Sequence, residues 1–260
     1  MSSDSQHRRD VIMARLLEQG HVSVTDLAKE TGLSESTMRR DLRTLADAGE
    51  LDIVHGGAVL GHARDLSFSY KSTQNVEEKR VIGKLAAELV SDRDQILLDS
   101  GTTCFQMAPY LRLRHNLLVI VNSTRLATEL NTPGLSVILL GGQYRVTRMD
   151  TVGPLATATL EQLRGYSAFV GADGLSMEFG LAAGDIDSAA LYRLAIANAR
   201  ETTLVADHTK FESPSLFRFA GFEAISRVVT DRPPAGEWME FLASKNVGVV
   251  CPAEGGEVVE

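Results

Sequence analysis

The chain has 260 residues, enough for one large domain or for a small domain joined to a medium one. A hydrophobic fraction of 44% and a charged fraction of 23% are typical of globular proteins, and no apolar run reaches the ~18 residues that a membrane span needs. The net charge of −8 excludes a globally basic surface, so any affinity for DNA must come from locally placed arginines.

The N-terminal residues and the cysteine content predict a cytoplasmic protein. Residues 1–9 lack the apolar core of a signal peptide. Cys104 and Cys251 form no disulfide framework and have no zinc-ligand spacing. We therefore expect no metal, no cofactor and no membrane partner.

Three helices are predicted in the first part of the chain. Apolar residues at helical spacing run through residues 7–18 and end at Gly20. A short second helix can be capped by Thr25, and Gly32 supplies a left-handed exit from it. The third helix covers residues 34–45. Two short helices joined by a turn that contains glycine are typical of a helix-turn-helix motif.

The third helix has an apolar and a polar face. Met38, Leu42 and Leu45 recur on one stripe, which predicts contact with a core. At ~100° per residue, the opposite side carries Ser36, Arg39, Arg40 and Arg43. Arginines and small hydroxyl residues on one helix face suit the major groove of DNA. The alternative interpretation is a solvated surface helix.

Residues 51–60 predict a β-hairpin around the turn His55-Gly56-Gly57. Such a wing would let His55 or the turn amides reach a phosphate or the minor groove. Three helices and a hairpin make a winged helix-turn-helix domain. A winged helix that binds protein instead of DNA remains an alternative.

Two motifs in this region resemble the DNA-binding domain of the DeoR family of bacterial transcriptional regulators. They are Ser36-Thr37-Met38-Arg39-Arg40-Asp41-Leu42 and His55-Gly56-Gly57-Ala58. The resemblance covers residues 7–60 and implies that the second and third helices dock on operator DNA. The predicted DNA-binding residues are Ser34, Ser36, Thr37, Arg39, Arg40, Arg43 and His55. Ser36, Thr37 and Arg40 are assigned to base edges and Arg39 and Arg43 to phosphates, and Asp41 is expected to brace an arginine inside the domain.

The remainder of the chain predicts a linker and a second domain. Residues 61–75 are polar without a sustained period, and they separate a DNA-binding domain at residues 1–60 from a domain at residues 76–260. A helix at residues 76–90 is followed by apolar runs that alternate with helical stretches. The predicted strands are residues 95–98, 117–121, 136–140, 167–171, 202–206, 227–230 and 247–250. This pattern predicts the α/β class, with a doubly wound parallel sheet.

Polar residues follow the predicted strands, at the edge where doubly wound sheets bind ligands. Asp99-Ser100-Gly101-Thr102-Thr103 precedes a helix predicted at residues 104–111, whose N-terminus could hold an anion. The motif lacks the lysine of a nucleotide-hydrolysing loop. The other candidate residues are Asn122, Ser123, Gly142, Arg145, Asp173, Asp187, Asp207 and Lys210. Cations for phosphate, with Asp and Asn for hydroxyl groups, predict a small phosphorylated, polyhydroxylated ligand, although each motif alone is also common as a structural turn.

The second domain is similar to the DeoR-family sensor domain, whose fold is related to ribose-5-phosphate isomerase and glucosamine-6-phosphate deaminase. The matching residues are Glu78-Lys79, residues 99–103, Asn122-Ser123, Gly141-Gly142, Arg145, Gly153, Asp207 and Lys210-Phe211. The family usually has a glutamate ahead of Ala189, where this chain has Ser188, with Asp187 one position earlier. Over residues 7–251, the resemblance implies a sugar-phosphate effector that changes operator affinity.

Together these features predict a repressor of a carbohydrate catabolic operon. It would bind double-stranded, palindromic operator DNA as a homodimer or homotetramer and be released by a phosphorylated sugar. The alternative is an isomerase-like enzyme using Asp187, Asp207 and Lys210, which is disfavoured because a simple isomerase has no use for a DNA-reading domain. Cys104, at the start of a predicted helix, has two interpretations: a redox switch, or a small buried residue that packs under the turn, which is favoured.

Overall fold

The computed structural model describes residues 3–19, 21–47, 50–60, 68–213, 215–252 and 258–259. The chain forms two compact units, Met1–Gln74 and Asn75–Glu260. Within the described residues, none of the helices has both the length and the apolar content to cross a bilayer.

The first unit contains helices and one small antiparallel sheet. Its elements are α1 (Ser3–Gln19), β1 (His21–Ser23), α2 (Val24–Thr31), α3 (Glu35–Asp47), β2 (Leu51–Val54), β3 (Gly57–Leu60) and α4 (Phe68–Ser72). The strand order β1-β3-β2 places the predicted hairpin beside a strand that the sequence did not indicate. Buried side chains of the three long helices, including Ile12, Leu27 and Met38, form its core. This arrangement confirms the predicted winged helix-turn-helix fold.

The cap of α2 differs from the prediction. Ser23, not Thr25, has the extended backbone of an N-cap, and its hydroxyl accepts a hydrogen bond from the amide of Asp26 at 3.3 Å. The difference arises because the chain enters α2 directly from β1. Gly32 has a φ of +67° at the C-terminal end, as expected for a left-handed exit.

The wing is a tight hairpin in which His55 and Gly56 join β2 to β3. Gly57 is required by packing, since a Cβ atom there would lie 2.0 Å from the carbonyl oxygen of Val22 on β1. The carbonyl oxygen of Gly56 also accepts from the amide of Val24 at 2.9 Å, which ties the wing to the start of α2.

The predicted linker is partly helical. Residues 61–67 lie outside the described part of the chain, but α4 occupies residues 68–72, where an irregular connector was predicted. The Phe68 side chain is buried, and α4 packs against β1. A five-residue helix is too short for its period to be recognised in the sequence.

The second unit is a doubly wound α/β domain with additional short strands. Its first elements are α5 (Val76–Glu88), β4 (Gln95–Leu98), α6 (Thr102–Phe105), α7 (Ala108–Leu111), β5 (Leu117–Val121), α8 (Thr124–Glu129), β6 (Leu135–Leu139), β7 (Gln143–Arg145), β8 (Asp150–Val152) and α9 (Pro154–Leu160). They are followed by β9 (Ser167–Val170), β10 (Gly174–Ser176), β11 (Gly180–Ala183), α10 (Ile186–Asn198), β12 (Glu201–Val205), β13 (Phe217–Ala220), β14 (Arg227–Val229), α11 (Gly236–Ser244), β15 (Gly248–Pro252) and β16 (Val258–Val259).

The main sheet has the order β16-β15-β14-β12-β9-β4-β5-β6 among the described strands. Neighbouring strands from β15 to β6 are parallel, and only the β15–β16 pair is antiparallel. Each strand predicted from the sequence is present, with ends that agree within two residues, so the predicted parallel sheet is confirmed.

Helices cover both faces of this sheet, as continuous apolar strands require. On one face, Leu98 of β4 packs in a core with Ile82 of α5 and Leu111 of α7. On the other face, Leu97 packs with Leu160 of α9 and Leu191 of α10. Successive residues of one strand therefore contribute to different cores.

Two small sheets near the carboxyl edge were not predicted. β7 pairs with β8 in a hairpin, and β10, β11 and β13 form a separate antiparallel sheet. These strands have only three or four residues each, too few to show an alternating pattern.

Candidate functional site

The polar face of α3 lies at the surface of the first unit. Met38, Leu42 and Leu45 are buried, whereas Ser36, Arg39, Arg40 and Arg43 are exposed. Ser34 precedes the helix and accepts from the amide of Thr37 at 3.3 Å, and its hydroxyl lies 2.9 Å from those of Ser36 and Thr37. The predicted DNA-binding residues of α3 thus share one surface, with Ser34 acting as a cap.

The three arginines of this face have different surroundings. Arg39 Nη2 donates to Glu35 Oε2 at 2.8 Å, and Glu35 Oε1 accepts from Thr25 Oγ1 at 3.1 Å. Among the described residues, the guanidinium groups of Arg40 and Arg43 have no hydrogen bond or ion pair. These two groups are available to an anion or a base edge.

Asp41 braces an arginine, as predicted. It is buried and bound in bidentate fashion by Arg8 of α1, through Nε and through Nη2 at 3.1 Å. The pair locks α1 against α3. The sequence could not identify Arg8 as the partner because the two residues are 33 positions apart.

His55 is exposed at the tip of the wing. The turn in which it stands requires the left-handed backbone of Gly56, with a φ of +78°. His55 therefore lies on the surface of the same unit as α3, on the wing and not on the helix.

In the second unit, the order of the strands identifies a switch point. From β4 the chain proceeds to β5 and β6 on one side, and β9 then starts the other half on the opposite side of β4. Ligands of doubly wound sheets bind beyond the carboxyl ends of the two strands at which the direction reverses. Here those ends are Asp99, after β4, and Gly171, after β9.

Asp99 connects the two strand ends. Its buried carboxylate accepts hydrogen bonds from the backbone amides of Gly101 and Gly171. Burial raises the pKa of the Asp99 carboxyl, and the two amide bonds oppose this effect without reversing it. That Asp99 belongs to the ligand rim stays a prediction.

A cluster of charges lies next to Asp99 and involves the hairpin β7–β8. Arg145 donates to both oxygens of Asp150, at 2.8 and 2.7 Å, to Asp185 at 2.8 Å and to Ser188 Oγ at 2.9 Å. Burial acts to lower the pKa of Arg145, but its hydrogen bond with Asp150 and the charges of Asp150 and Asp185 together outweigh burial and raise that pKa. Arg145 therefore stays charged and already has carboxylate partners.

Two further residues, Arg148 and Ser100, belong to this charge cluster. Arg148 Nη1 donates to Asp185 Oδ2 at 2.6 Å. Asp150 is fully buried and also accepts from Ser100 Oγ at 2.8 Å, which ties the loop after β4 to the hairpin. The sequence pointed to Arg145 and Ser100 but missed Arg148, Asp150 and Asp185, for which only their polar character within an apolar domain was a signal.

The carboxylate that α10 contributes to this cluster is Asp185, its N-cap, rather than Asp187. Asp185 caps α10 by accepting from the amide of Ser188 at 2.8 Å, whereas Asp187 is exposed on the first turn of the helix. Ser188 is buried, and its hydroxyl accepts from Arg145. Asp173, also predicted, accepts from the amide of Gly184 at 2.7 Å.

The hydroxyl residues after β4 lie on a shorter helix than predicted. The helix expected at residues 104–111 consists of α6 and α7, and Thr102 and Thr103 belong to the four-residue α6. The prediction of one continuous helix is wrong, because Gln106 and Met107 interrupt it. A helix of this length has a small dipole, so any anion there would depend on local amides and hydroxyls.

Asn122, Ser123 and Gly142 support the loops around the rim. Asn122 Nδ2 donates to the carbonyl of Thr151 at 3.0 Å, and Ser123 caps α8 through the amide of Leu126 at 3.3 Å. A Cβ atom at Gly142 would lie 2.6 Å from the carbonyl oxygen of Val152. Asn122 and Ser123 thus hold loop and helix backbone in place, and Gly142 allows the close approach of Val152.

Asp207 and Lys210 form a second group, after β12. Asp207 Oδ1 accepts from the amide of Thr209 and from Asn75 Nδ2, both at 3.1 Å. Asp207 Oδ2 is buried, and no hydrogen-bond partner for it exists among the described residues. The Lys210 ammonium has no ion pair within the same part of the chain. Through its bond with Asn75, Asp207 contacts the start of α5.

A small cavity of about 10 Å³, with room for about one water molecule, lies beside Asp99 on the α9 and α10 face. It is mostly apolar and is lined by Leu97, Leu98, Asp99, Asn122, Leu140, Leu160, Leu191, Tyr192 and Ala195. Tyr192 was not predicted. Burial, together with the charge of Asp99, raises the pKa of its phenol far above the usual value, so the hydroxyl stays neutral.

Cys104 packs beneath the loop that follows β4. Its thiol is fully buried and donates to the carbonyl of Phe169 at 3.5 Å. Burial and the neighbouring Asp99 raise the pKa of this thiol well above the usual value. Because the thiolate is the reactive form, the environment favours the interpretation of a buried packing residue over a redox switch.

Both units match known protein families. Residues 74–232 match the family model of the DeoR C terminal sensor domain, and residues 8–64 match that of the DeoR-like helix-turn-helix domain.

Curated relatives align with nearly the whole chain. The HTH-type transcriptional regulator GlpR of Haloferax volcanii is 35% identical over 88% of this chain and 90% of its own length. The putative aga operon transcriptional repressor of Escherichia coli O157:H7 is 29% identical over 96% of this chain and 95% of its own. The lactose phosphotransferase system repressor of Staphylococcus aureus is 30% identical over 88% and 92%, respectively.

Similarity to solved structures is weaker. A D-ribose-5-phosphate isomerase in complex with phospho-erythronic acid aligns with 52% of this chain and 53% of its own, with 18% identity and a TM-score of 0.38. A likeness of this size does not indicate a shared function.

Proposed function

The chain belongs to the DeoR family of transcriptional regulators, and from this premise we propose that it represses a carbohydrate catabolic operon until a phosphorylated sugar or related metabolite binds. The observation that carries the proposal is the pair of guanidinium groups of Arg40 and Arg43, which lie on the exposed face of α3 and have no partner among the residues that the structure describes. Arginines without internal partners can bind DNA without first breaking a protein contact.

On DNA, we assign α3 to the major groove. Arg40, with Ser36 and Thr37, is proposed to contact base edges, and Arg43 and Arg39 to bind phosphates. His55 on the wing is proposed to reach the backbone or the minor groove. Focal contacts of this kind suit a first domain whose residues 1–60 contain seven Lys/Arg and ten Asp/Glu.

The effector is proposed to bind at the carboxyl edge of the main sheet, close to the switch point. Arg145 is neutralised by Asp150 and Asp185, so we assign the phosphate to Lys210 and to Ser100, Gly101, Thr102 and Thr103. The hydroxyl groups are assigned to Asp99, Asn122, Asp173 and Asp207. The name of the lactose phosphotransferase system repressor supports a carbohydrate as the regulatory signal.

Repression and release require that effector binding and operator binding be coupled. We propose that the protein acts in the cytoplasm as a homodimer or homotetramer on a palindromic operator, and that effector binding changes the geometry of the oligomer. A coupling of ~1–3 kcal/mol, or roughly 5–150-fold in operator affinity, would be sufficient.

The isomerase alternative is not favoured. Relatives that align over nearly the full chain are named as transcriptional regulators or repressors. Of the residues that this alternative requires, Asp187 is exposed and lies outside the cluster around Arg145.

The proposal can be tested in two steps with purified full-length protein. Selection from random DNA duplexes should enrich a palindromic sequence, and thermal-shift measurements against a panel of phosphorylated sugars should identify a stabilising compound. That compound should then weaken binding to the selected duplex, and its unphosphorylated form should not. Failure to enrich any sequence, or interconversion of a sugar phosphate by the protein, would contradict the proposal.

A further inference from the structure

Glu35, in the first turn of α3, holds two donors that belong to different helices. Its carboxylate accepts from Arg39 Nη2 at 2.8 Å and from Thr25 Oγ1 at 3.1 Å. The ion pair is open to solvent, with 64% of the Arg39 side chain and 45% of the Glu35 side chain exposed. No role for Glu35 follows from the DNA-contact assignments above.

The two donors stand where a helix-turn-helix unit meets the DNA backbone. Thr25 is in the first turn of α2, two residues after the Ser23 cap, and Arg39 is one turn along α3 from Glu35, which contacts α2 through Thr25. In helix-turn-helix complexes the first helix of the motif crosses the backbone while the second enters the major groove. Arginine and threonine side chains are common ligands of DNA phosphates.

We propose that Glu35 occupies the place of a DNA phosphate in the free protein. Its carboxylate holds Arg39 and Thr25, and a backbone phosphate displaces it when the operator docks. A carboxylate and a phosphate accept the same charge-assisted bonds from arginine, so one anion can replace the other. The inference rests on the proposed use of α3 to read DNA.

This exchange weakens binding to DNA of any sequence. An exposed ion pair between residues one helical turn apart is weak, so a phosphate can displace it at low cost. After displacement, however, the Glu35 charge remains close to the DNA backbone and repels it. This penalty is the same on every sequence, so it lowers non-specific affinity while the base contacts of Arg40 still set the preference for the operator.

The test substitutes Glu35→Gln in the full-length protein. Affinities are measured across a salt series for a random-sequence duplex and for the duplex that the wild-type protein selects. We expect about fivefold tighter binding to the random duplex, with a log–log salt slope steeper by ~0.9, as for one additional phosphate contact. The ratio of specific to non-specific affinity should stay within experimental error of the wild type, because the penalty is the same on both duplexes.

A matched control separates this effect from a change in net charge. Glu30 of α2 forms a similarly exposed ion pair, with Arg15 at 2.9 Å, and Glu30→Gln changes the net charge by the same amount. It should leave the salt slope within experimental error of the wild type. Equal effects of the two substitutions would overturn the proposal.

A double-mutant cycle tests the identity of the released donor. In the Arg39→Ala background, Glu35→Gln should steepen the salt slope by less than it does in the wild type, because only the repulsion by Glu35 is then removed. An unchanged slope in the Glu35→Gln single variant, or weaker operator binding with unchanged affinity for the random duplex, would overturn the proposal. Failure of the wild-type protein to prefer any sequence would instead contradict the proposed function, while the random duplex still tests Glu35.

Discussion

The carboxylate of Asp99, beyond β4, accepts a hydrogen bond from the backbone amide of Gly171, beyond β9. This contact spans the two strands at which the sheet reverses its winding direction. It requires close approach, since a Cβ atom at Gly171 would lie 3.2 Å from Asp99 Oδ2. The position that doubly wound sheets use for ligands is therefore organised here by a buried acid.

The buried acid predicts a pH dependence of stability. Because burial raises the folded-state pKa of Asp99 above 3.8, the folded protein holds this proton more tightly than the unfolded chain. Stability from this group is present below pH 3.8 and is lost as the pH rises through the folded pKa. Asp99→Asn has no proton to lose. Between pH 3.8 and the folded-state pKa, the free energy of unfolding of wild type should therefore fall relative to that of the variant, by ~1.4 kcal/mol for each unit by which the folded-state pKa exceeds 3.8.

Urea unfolding of the wild type and of Asp99→Asn at a series of pH values measures the difference in their free energies of unfolding. The exposed Asp187→Asn is the control, and its stability should run parallel to that of wild type. Parallel curves for Asp99→Asn and wild type would show that Asp99 does not have a raised pKa.

Arg40→Ala should weaken discrimination between operator and altered operator. If Arg40 makes a bidentate contact with a base, the loss is ~1–3 kcal/mol and is confined to the base pair that it reads. Arg43→Ala should instead weaken binding to all sequences and reduce the salt slope by about one. Competition binding with single-base-pair variants of the selected duplex distinguishes these outcomes, and equal profiles for the two variants would refute the assignment.

Asp41→Ala should destabilise the first unit. The substitution leaves Arg8 without its bidentate partner, and because the Arg8 side chain is 22% exposed, the expected cost is ~1–3 kcal/mol, below that of a fully buried pair. Arg39→Ala breaks an exposed pair and should cost less than ~0.5 kcal/mol. Chemical denaturation monitored by circular dichroism compares the two variants. Similar denaturation midpoints for Asp41→Ala and Arg39→Ala would show that the Arg8–Asp41 pair adds little to the stability of the first unit.

Lys210→Ala should abolish the response to the effector, because effector binding is what weakens operator affinity. The operator affinity of the unliganded variant should stay within about twofold of wild type, because Lys210 lies in the second unit and not in the DNA-binding unit. The exposed Lys84→Ala on α5 is the matched control and should respond normally. Gel shifts with and without the sugar phosphate that stabilises the wild type provide the measurement. Normal release of the Lys210 variant would exclude this lysine from the site.

Much of the architecture was predictable because it is encoded in local patterns. The spacing of Met38, Leu42 and Leu45 identified the buried face of α3, and with it the exposed arginines. The strands of the main sheet were recognisable because both of their faces are covered, which makes each a continuous apolar run. The short strands β7 and β10 have no such run and were missed.

The sequence by itself therefore determined the helix-turn-helix unit, the parallel sheet and the residues that follow each strand, because hydrophobic period and turn residues act over a few positions. Only the tertiary structure decided which charges meet. Arg8 pairs with Asp41, and Arg145 is shared between Asp150 and Asp185, 40 positions away. These partnerships depend on how separate elements pack, and packing, not spacing along the chain, determines which arginines remain free for DNA and which are already neutralised.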